Sequence, residues 1–180
     1  MATVAAISLD RVTVRLGGEA VLRDFSLEVA EGEKVVVTGA SGGGKSTILR
    51  LILGFVQPDE GEIRIFGDEV TAHSIWTLRQ ELAYVAQEPD LGTGPVAAAL
   101  ARPFEYAANR HLRGKLDRAG DVLRKLNLPA SIRDKNLEDI SGGEKQRIAL
   151  ATAMLLDRPI LLLDEPTAAL DEDNRQAVYD

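Results

Sequence analysis

Gly39-Ala40-Ser41-Gly42-Gly43-Gly44-Lys45-Ser46-Thr47 is the stretch from which the rest of the chain is read. Val35-Val36-Val37-Thr38 ahead of it reads as a strand, and residues 46–53 behind it carry a helical pattern. A glycine-rich turn therefore joins strand to helix. Residues 39–46 fill every fixed position of G-x-x-x-x-G-K-[ST] in the context that motif requires. Its glycines let backbone N–H groups come close to phosphate oxygens. Lys45 adds a point charge for the β- and γ-phosphates, and the Ser46 hydroxyl suits Mg²⁺.

Downstream, Pro159-Ile160-Leu161-Leu162-Leu163-Asp164-Glu165 predicts a buried strand of a parallel sheet, because the apolar run offers no polar face to solvent. It sets Asp164 and Glu165 at the C-terminal end, where open α/β sheets hold ligands. Asp164 is the candidate for the Mg²⁺ shell, and Glu165 for orienting and polarising an attacking water. An acidic pair before Pro166 is by itself a common turn. The phosphate loop is what gives it chemistry.

A third stretch, Ile140-Ser141-Gly142-Gly143-Glu144-Lys145-Gln146-Arg147, opens a helical pattern over residues 141–156. Ser141 and Glu144 have the S-x-x-E spacing of a capping box. Gly142 and Gly143 leave the start of that helix open to close approach, which makes a second anion site. One nucleotide has no evident need for two phosphate-binding helix starts in one small chain. The redundancy points to a site shared between two chains.

The remaining sequence frames these motifs. Residues 12–14, 25–29, 34–38 and 62–66 are short β-branched runs between Gly and acidic turns and predict strands; residues 82–86 predict another, ahead of Gln87. Over residues 95–128 the apolar positions Leu116, Val122, Leu123 and Leu126 recur at helical spacing, predicting an inserted helical segment interrupted at Pro103 and closed near Pro129. The expected architecture is one α/β domain over residues 1–180. Its core is residues 1–87 and 140–180, with an antiparallel β region at the N-terminus, and residues 88–139 form a helical subdomain.

At 180 residues the chain has room for one sizeable core. A net charge of −7 and a pI near 5.0 argue against a surface built for nucleic acid. No cysteine is present, which removes disulfides, thiol nucleophiles and zinc–thiolate sites and fits a reducing cytosol. The first ten residues carry no cationic run ahead of an apolar one, so no secretory signal is expected. The longest apolar-leaning stretch, residues 148–156, is too short to span a bilayer. Any link to a membrane is expected to run through a partner.

In order and approximate spacing, the loop 39–47, Gln87 after its strand, Ser141-Gly142-Gly143-Glu144, the Asp164-Glu165 strand end and Ala169-Leu170-Asp171 resemble the ABC ATPases over almost the whole chain. The resemblance implies a P-loop NTPase core and a head-to-tail dimer with two ATP molecules at the seam. Each ATP would sit on Gly39, Ala40, Ser41, Gly42, Gly43, Gly44, Lys45, Ser46 and Thr47 of one chain. Ser141, Gly142, Gly143 and Glu144 of the other would cover it, and Asp171 would contact the opposite chain. Ser46, Gln87 and Asp164 would attend Mg²⁺, with Gln87 sensing the nucleotide and Lys45 and Glu165 serving hydrolysis. It also implies an integral membrane permease as partner and a place on the inner face of the cell membrane.

More narrowly, Leu128-Pro129-Ala130-Ser131-Ile132, Lys135-Asn136, the Glu144-Lys145-Gln146-Arg147 ending and Asp171-Glu172-Asp173-Asn174 resemble the ATPase subunit of bacterial iron-export systems. Two departures stand out. The family's adenine-stacking aromatic is replaced by Arg15-Leu16-Gly17, where Leu16 packs without a π-face. The family's switch histidine lies on a later strand, and His73 and His111 both precede Ser141-Gly142-Gly143-Glu144. The expectation is a chain lacking its C-terminal part, which binds MgATP and hydrolyses it poorly alone. The alternatives are a non-catalytic nucleotide-binding regulator and a non-transport ABC ATPase of DNA repair or ribosome function.

Overall fold

β1 (Ile7–Leu16) buries Ile7 and Leu9, then Val12 and Val14, so its inward alternation skips one residue. A bulge at Asp10–Arg11 makes the skip: the register shifts beyond Leu9 against β2 and beyond Asp10 against β3, and Arg11 takes φ 49°. One extra residue resets which side chains face the core. Opposite the bulge, a Cβ on Gly61 (φ 84°) would lie 2.4 Å from the Asp10 carbonyl oxygen and 2.5 Å from that of Arg11, so only glycine fits there.

The computed structural model describes residues 4–40 and 42–166, in two compact units, Met1–Leu82 and Ala83–Asp180. The first unit holds an antiparallel sheet in the order β2-β1-β3-β4, with β2 at Glu19–Val29, β3 at Glu60–Ile65 and β4 at Asp68–Glu69. This is the antiparallel region expected. Helix α1 (Lys45–Ile52) turns Thr47, Ile48, Leu51 and Ile52 inward. Past its end, Arg79 follows the short α2 (Ile75–Leu78), lies over the Phe55 and Trp76 rings, and donates to the Leu53 carbonyl at 2.9 Å.

Residues 34–38 form no strand, contrary to the sequence reading, and Val36 is 81% exposed. A strand exists only through its ladder, and among the described residues no neighbouring strand pairs with this run.

In the second unit β5 (Leu82–Val85) pairs with β6 (Ile160–Leu163). Asp164 N–H donates to the Val85 carbonyl at 3.0 Å, so the C-terminal ends of both strands meet and the two run in the same direction. β6 is less buried than its composition predicts. Ile160 and Leu162 are buried while Leu161 is exposed, because a strand buries its outer face only where a layer covers it.

The predicted helical segment is real but wound more tightly. α3 (Val96–Ala101) passes into a 3₁₀ turn at Arg102–Glu105 that contains Pro103, then a 3₁₀ stretch at Ala107–Arg118, then α4 (Ala119–Lys125). Asn127 at φ 54° ends α4 just before Pro129. Leu100, Phe104, Leu123, Leu126, Ile132 and Leu137 from this stretch share a core with Ile148 of α5 (Gly142–Leu156). Among the described residues no helix is long and apolar enough to cross a membrane.

Candidate functional site

The glycine-rich loop ahead of α1 carries left-handed glycines, Gly42 at φ 78° and Gly44 at φ 86°, the latter serving as N-cap of α1. A Cβ on Gly44 would stand 3.0 Å from Leu22 Cδ2 and 3.2 Å from the Val21 carbonyl, so β2 backs the loop at contact distance. Gly43 N–H donates to the Ala40 carbonyl at 3.0 Å. The Lys45 ammonium folds back over the loop and donates to the Gly39 and Ala40 carbonyls, both at 3.1 Å. The loop thus presents a cation and a helix start together, an arrangement that suits a polyphosphate. Ser46 lies in the first turn of α1, and Thr47 is buried on its inward face.

In the second unit, Gln87 Nε2 donates to Glu165 Oε2 at 3.0 Å, joining residues 78 apart in sequence at the ends of β5 and β6. Both are exposed, and Asp164, next to Glu165 in the chain, is partly buried. The amide spends its N–H on the carboxylate and leaves its oxygen as a donor atom for a metal. Glu165 has φ 45°, a left-handed backbone that non-glycine residues seldom adopt.

The capping box forms as spaced. Glu144 N–H donates to Ser141 Oγ at 3.2 Å, and Ser141 N–H donates to Glu144 Oε2 at 2.8 Å. That Ser141 N–H holds the Glu144 carboxyl below the usual glutamate range, against the opposing pull of partial burial. Ser141 and Gly142 are exposed, so the helix start is open to an incoming group.

Just inside, two polar side chains are buried. Arg147, 9% exposed, donates to the Leu126 and Asn127 carbonyls at 3.2 Å each and to the Gly143 carbonyl at 3.3 Å. Those first two carbonyls end α4, so a cation meets the negative end of a helix. Gln146, 3% exposed, donates to the Ala86 carbonyl at 3.2 Å. The sequence reading missed both as site residues. The signal was there for Gln146, which falls in phase with buried Leu150 and Ala153 and so sits as an amide on an apolar stripe.

At the opposite end of α5, Asp157 in a left-handed cap is held by Lys115, which donates to its carboxylate at 3.0 Å and to the Leu156 carbonyl at 3.4 Å. The Lys115 ammonium keeps the Asp157 carboxyl below its ordinary range.

Leu16 is 46% exposed at the β1–β2 hairpin. Ser41 and Asp171 lie outside the described residues. His73 and His111 are both exposed. For Mg²⁺ the candidate donors, Ser46 hydroxyl, Gln87 amide oxygen and Asp164 carboxylate, are all hard oxygens, which fits an ion that completes its shell with substrate phosphates and water. Among the described residues no group of three or more His, Cys, Asp or Glu is placed to hold a metal by itself.

The chain matches the family model described as ABC transporter over residues 22–168. The ATP-dependent lipid A-core flippase of Escherichia coli (strain K12) is 38% identical over 161 residues, which is 87% of this chain and 28% of the flippase. The ATP-dependent permease MDL1 of Candida albicans is 36% identical over 162 residues, 88% of this chain and 24% of the permease. The chain thus spans about a quarter of these relatives. Among solved structures, a bacterial Atm1-family ABC exporter with ATP bound superposes with a TM-score of 0.80 at 29% identity, covering 99% of this chain and 32% of the exporter. A dimeric ATP-binding cassette in a post-hydrolysis state, bound to ADP and Pi, gives 0.75 at 28% identity over 96% of this chain and 79% of that one.

Proposed function

Because the chain belongs to the ABC transporter family, matched across well over half its length, we propose that it binds MgATP, pairs with a second copy and hydrolyses the nucleotide to drive transport by a membrane permease. The observation that carries this reading is the Gln87–Glu165 hydrogen bond at the ends of two neighbouring strands. A carboxylate held there by an amide is oriented before any substrate arrives, and phosphoryl transfer depends mainly on such positioning.

The roles follow from the groups. Lys45 and the loop N–H groups hold the β- and γ-phosphates, and Ser46, Gln87 and Asp164 supply the oxygens for the metal. Mg²⁺, when bound, neutralises charge on the phosphates. Glu165 orients the attacking water and accepts its proton. Ser141 and Gly143 of the partner close the site, their helix start meeting the phosphate charge. In a head-to-tail pair each chain gives its loop to one nucleotide and its Ser141 helix to the other.

Export is the direction favoured by the relatives, which include proteins named as a flippase and an exporter. Iron as cargo rests on the short runs around residues 128–136 and 171–174 alone. A peripheral position on the inner membrane face follows from the permease.

The test is sedimentation and phosphate release by the purified chain. In a chain extended with a family-like C-terminal segment, Glu165→Gln is expected to form a dimer with MgATP and release phosphate at least tenfold more slowly than the same chain unsubstituted. A chain that binds MgATP, never dimerises and releases no phosphate would instead be the non-catalytic regulator.

A further inference from the structure

The Gln146 amide is buried on α5, and its single described bond reaches the backbone next to Gln87 rather than any part of its own helix. Ala86 is the last residue before Gln87, and Gln87 in turn holds the Glu165 carboxylate. These bonds make a continuous path from the start of α5 to the strand-end carboxylate: Ser141 caps the helix, Gln146 leaves it, and Ala86 and Gln87 carry the contact to Glu165.

We infer that Gln146 is a positioning residue, which fixes the orientation of Gln87 and through it of Glu165, and so reports the position of α5 to the carboxylate of the same chain. The inference rests on the proposed head-to-tail pairing, in which Ser141 covers the partner's nucleotide while Glu165 acts on the chain's own. One side chain then links the two composite sites of a dimer.

The physical ground is rigidity. Five residues of α-helix separate Ser141 from Gln146, about 7.5 Å along the axis, and the capping box at one end and Arg147 at the other hold that turn fixed. A movement of the helix start on meeting the partner's nucleotide arrives at the Ala86 carbonyl undiminished. The bond also resists being broken, because the buried Gln146 amide, parted from the half-buried Ala86 carbonyl, would lose its described partner without regaining water. Arg147 is a helix anchor by contrast, since its described bonds go to the Leu126 and Asn127 carbonyls at the end of α4 and to the Gly143 carbonyl.

Gln146→Met keeps the length and bulk of the side chain and removes the donor. It is expected to lower kcat for MgATP about tenfold, leave KM within about twofold and leave the melting temperature within a few degrees. Gln146→Asn, which keeps the amide but is one methylene too short, is expected to behave alike. The decisive readout is the double mutant: in a Gln87→Ala background, Gln146→Met should cause no further fall, because its effect passes through Gln87.

An unchanged kcat, a fall that repeats in full in the Gln87→Ala background, or a fall matched by lost folded protein in both variants would each overturn the inference. Lys45→Ala supplies the baseline for the assay. All variants are made in a chain extended with a family-like C-terminal segment: if that chain, unsubstituted, turns over no faster than the baseline, the hydrolytic reading fails and the inference with it; if it does turn over and Gln146 is silent, only the inference fails.

Discussion

Glu165 holds a left-handed backbone immediately before Pro166, a position where proline already narrows the choices of its neighbour. Such a conformation costs a non-glycine residue about 1 kcal/mol, and strain of this kind gathers where a side chain must be aimed. Glu165→Gly is therefore expected to raise the stability of the chain by about that amount while abolishing phosphate release; a chemical-denaturation midpoint that falls would refute the strain argument. Lys45→Ala should remove measurable MgATP binding in a calorimetric titration, since the loop loses its only lysine. Residues of this kind were legible as types: Lys45, Glu165, Ser141 and Glu144 were all singled out by spacing. Gln146 and Arg147 were not, because a motif lists which residues occur together and says nothing of what a buried side chain reaches across the fold. Burial of both turns them from a polar helix turn into anchors.

Among the elements, α5 depends most visibly on its first turn. Ser141→Ala removes one half of the capping box and should cost about 1 kcal/mol of stability, read from thermal or urea unfolding. The box is also pH-dependent. The folded pKa of Glu144 lies below its ordinary value, so the stabilisation is present above the unfolded pKa and is lost as pH falls through the folded one. Glu144→Gln keeps the hydrogen-bonding shape without the charge. The melting-temperature advantage of the native chain over that variant should hold at pH 7 and shrink below about pH 4.3; a gap that is flat with pH would show that the charge contributes nothing.

Parts of the antiparallel strands were readable from β-branched runs between turns, and the helix at residues 142–156 from its capping box. The bulge in β1 was not, because one inserted residue preserves the composition and changes only the phase. The tight winding of residues 107–118 also escaped, since Leu112 and Leu116 stand four apart, the interval of an α-helix.

For the whole molecule, the proposed pairing makes a prediction that neither site makes alone. A chain carrying Lys45→Ala and a chain carrying Ser141→Arg should each be inactive, yet mixing them should restore turnover. Random exchange yields about half mixed dimers, each with one intact composite site, so about a quarter of the native rate is expected. No recovery would rule out head-to-tail sharing.

The exposed run Val35-Val36-Val37 bears on how such mixtures behave in solution. Three β-branched residues without a ladder form a sticky segment that invites strand addition from any neighbour, guarded on one side only by Lys34. Concentrated samples should therefore scatter light increasingly with time whether or not nucleotide is added, and Val36→Lys should keep them clear. Aggregation of that sort has no fixed stoichiometry and no dependence on ATP, which is how it is told apart from an ordered pair.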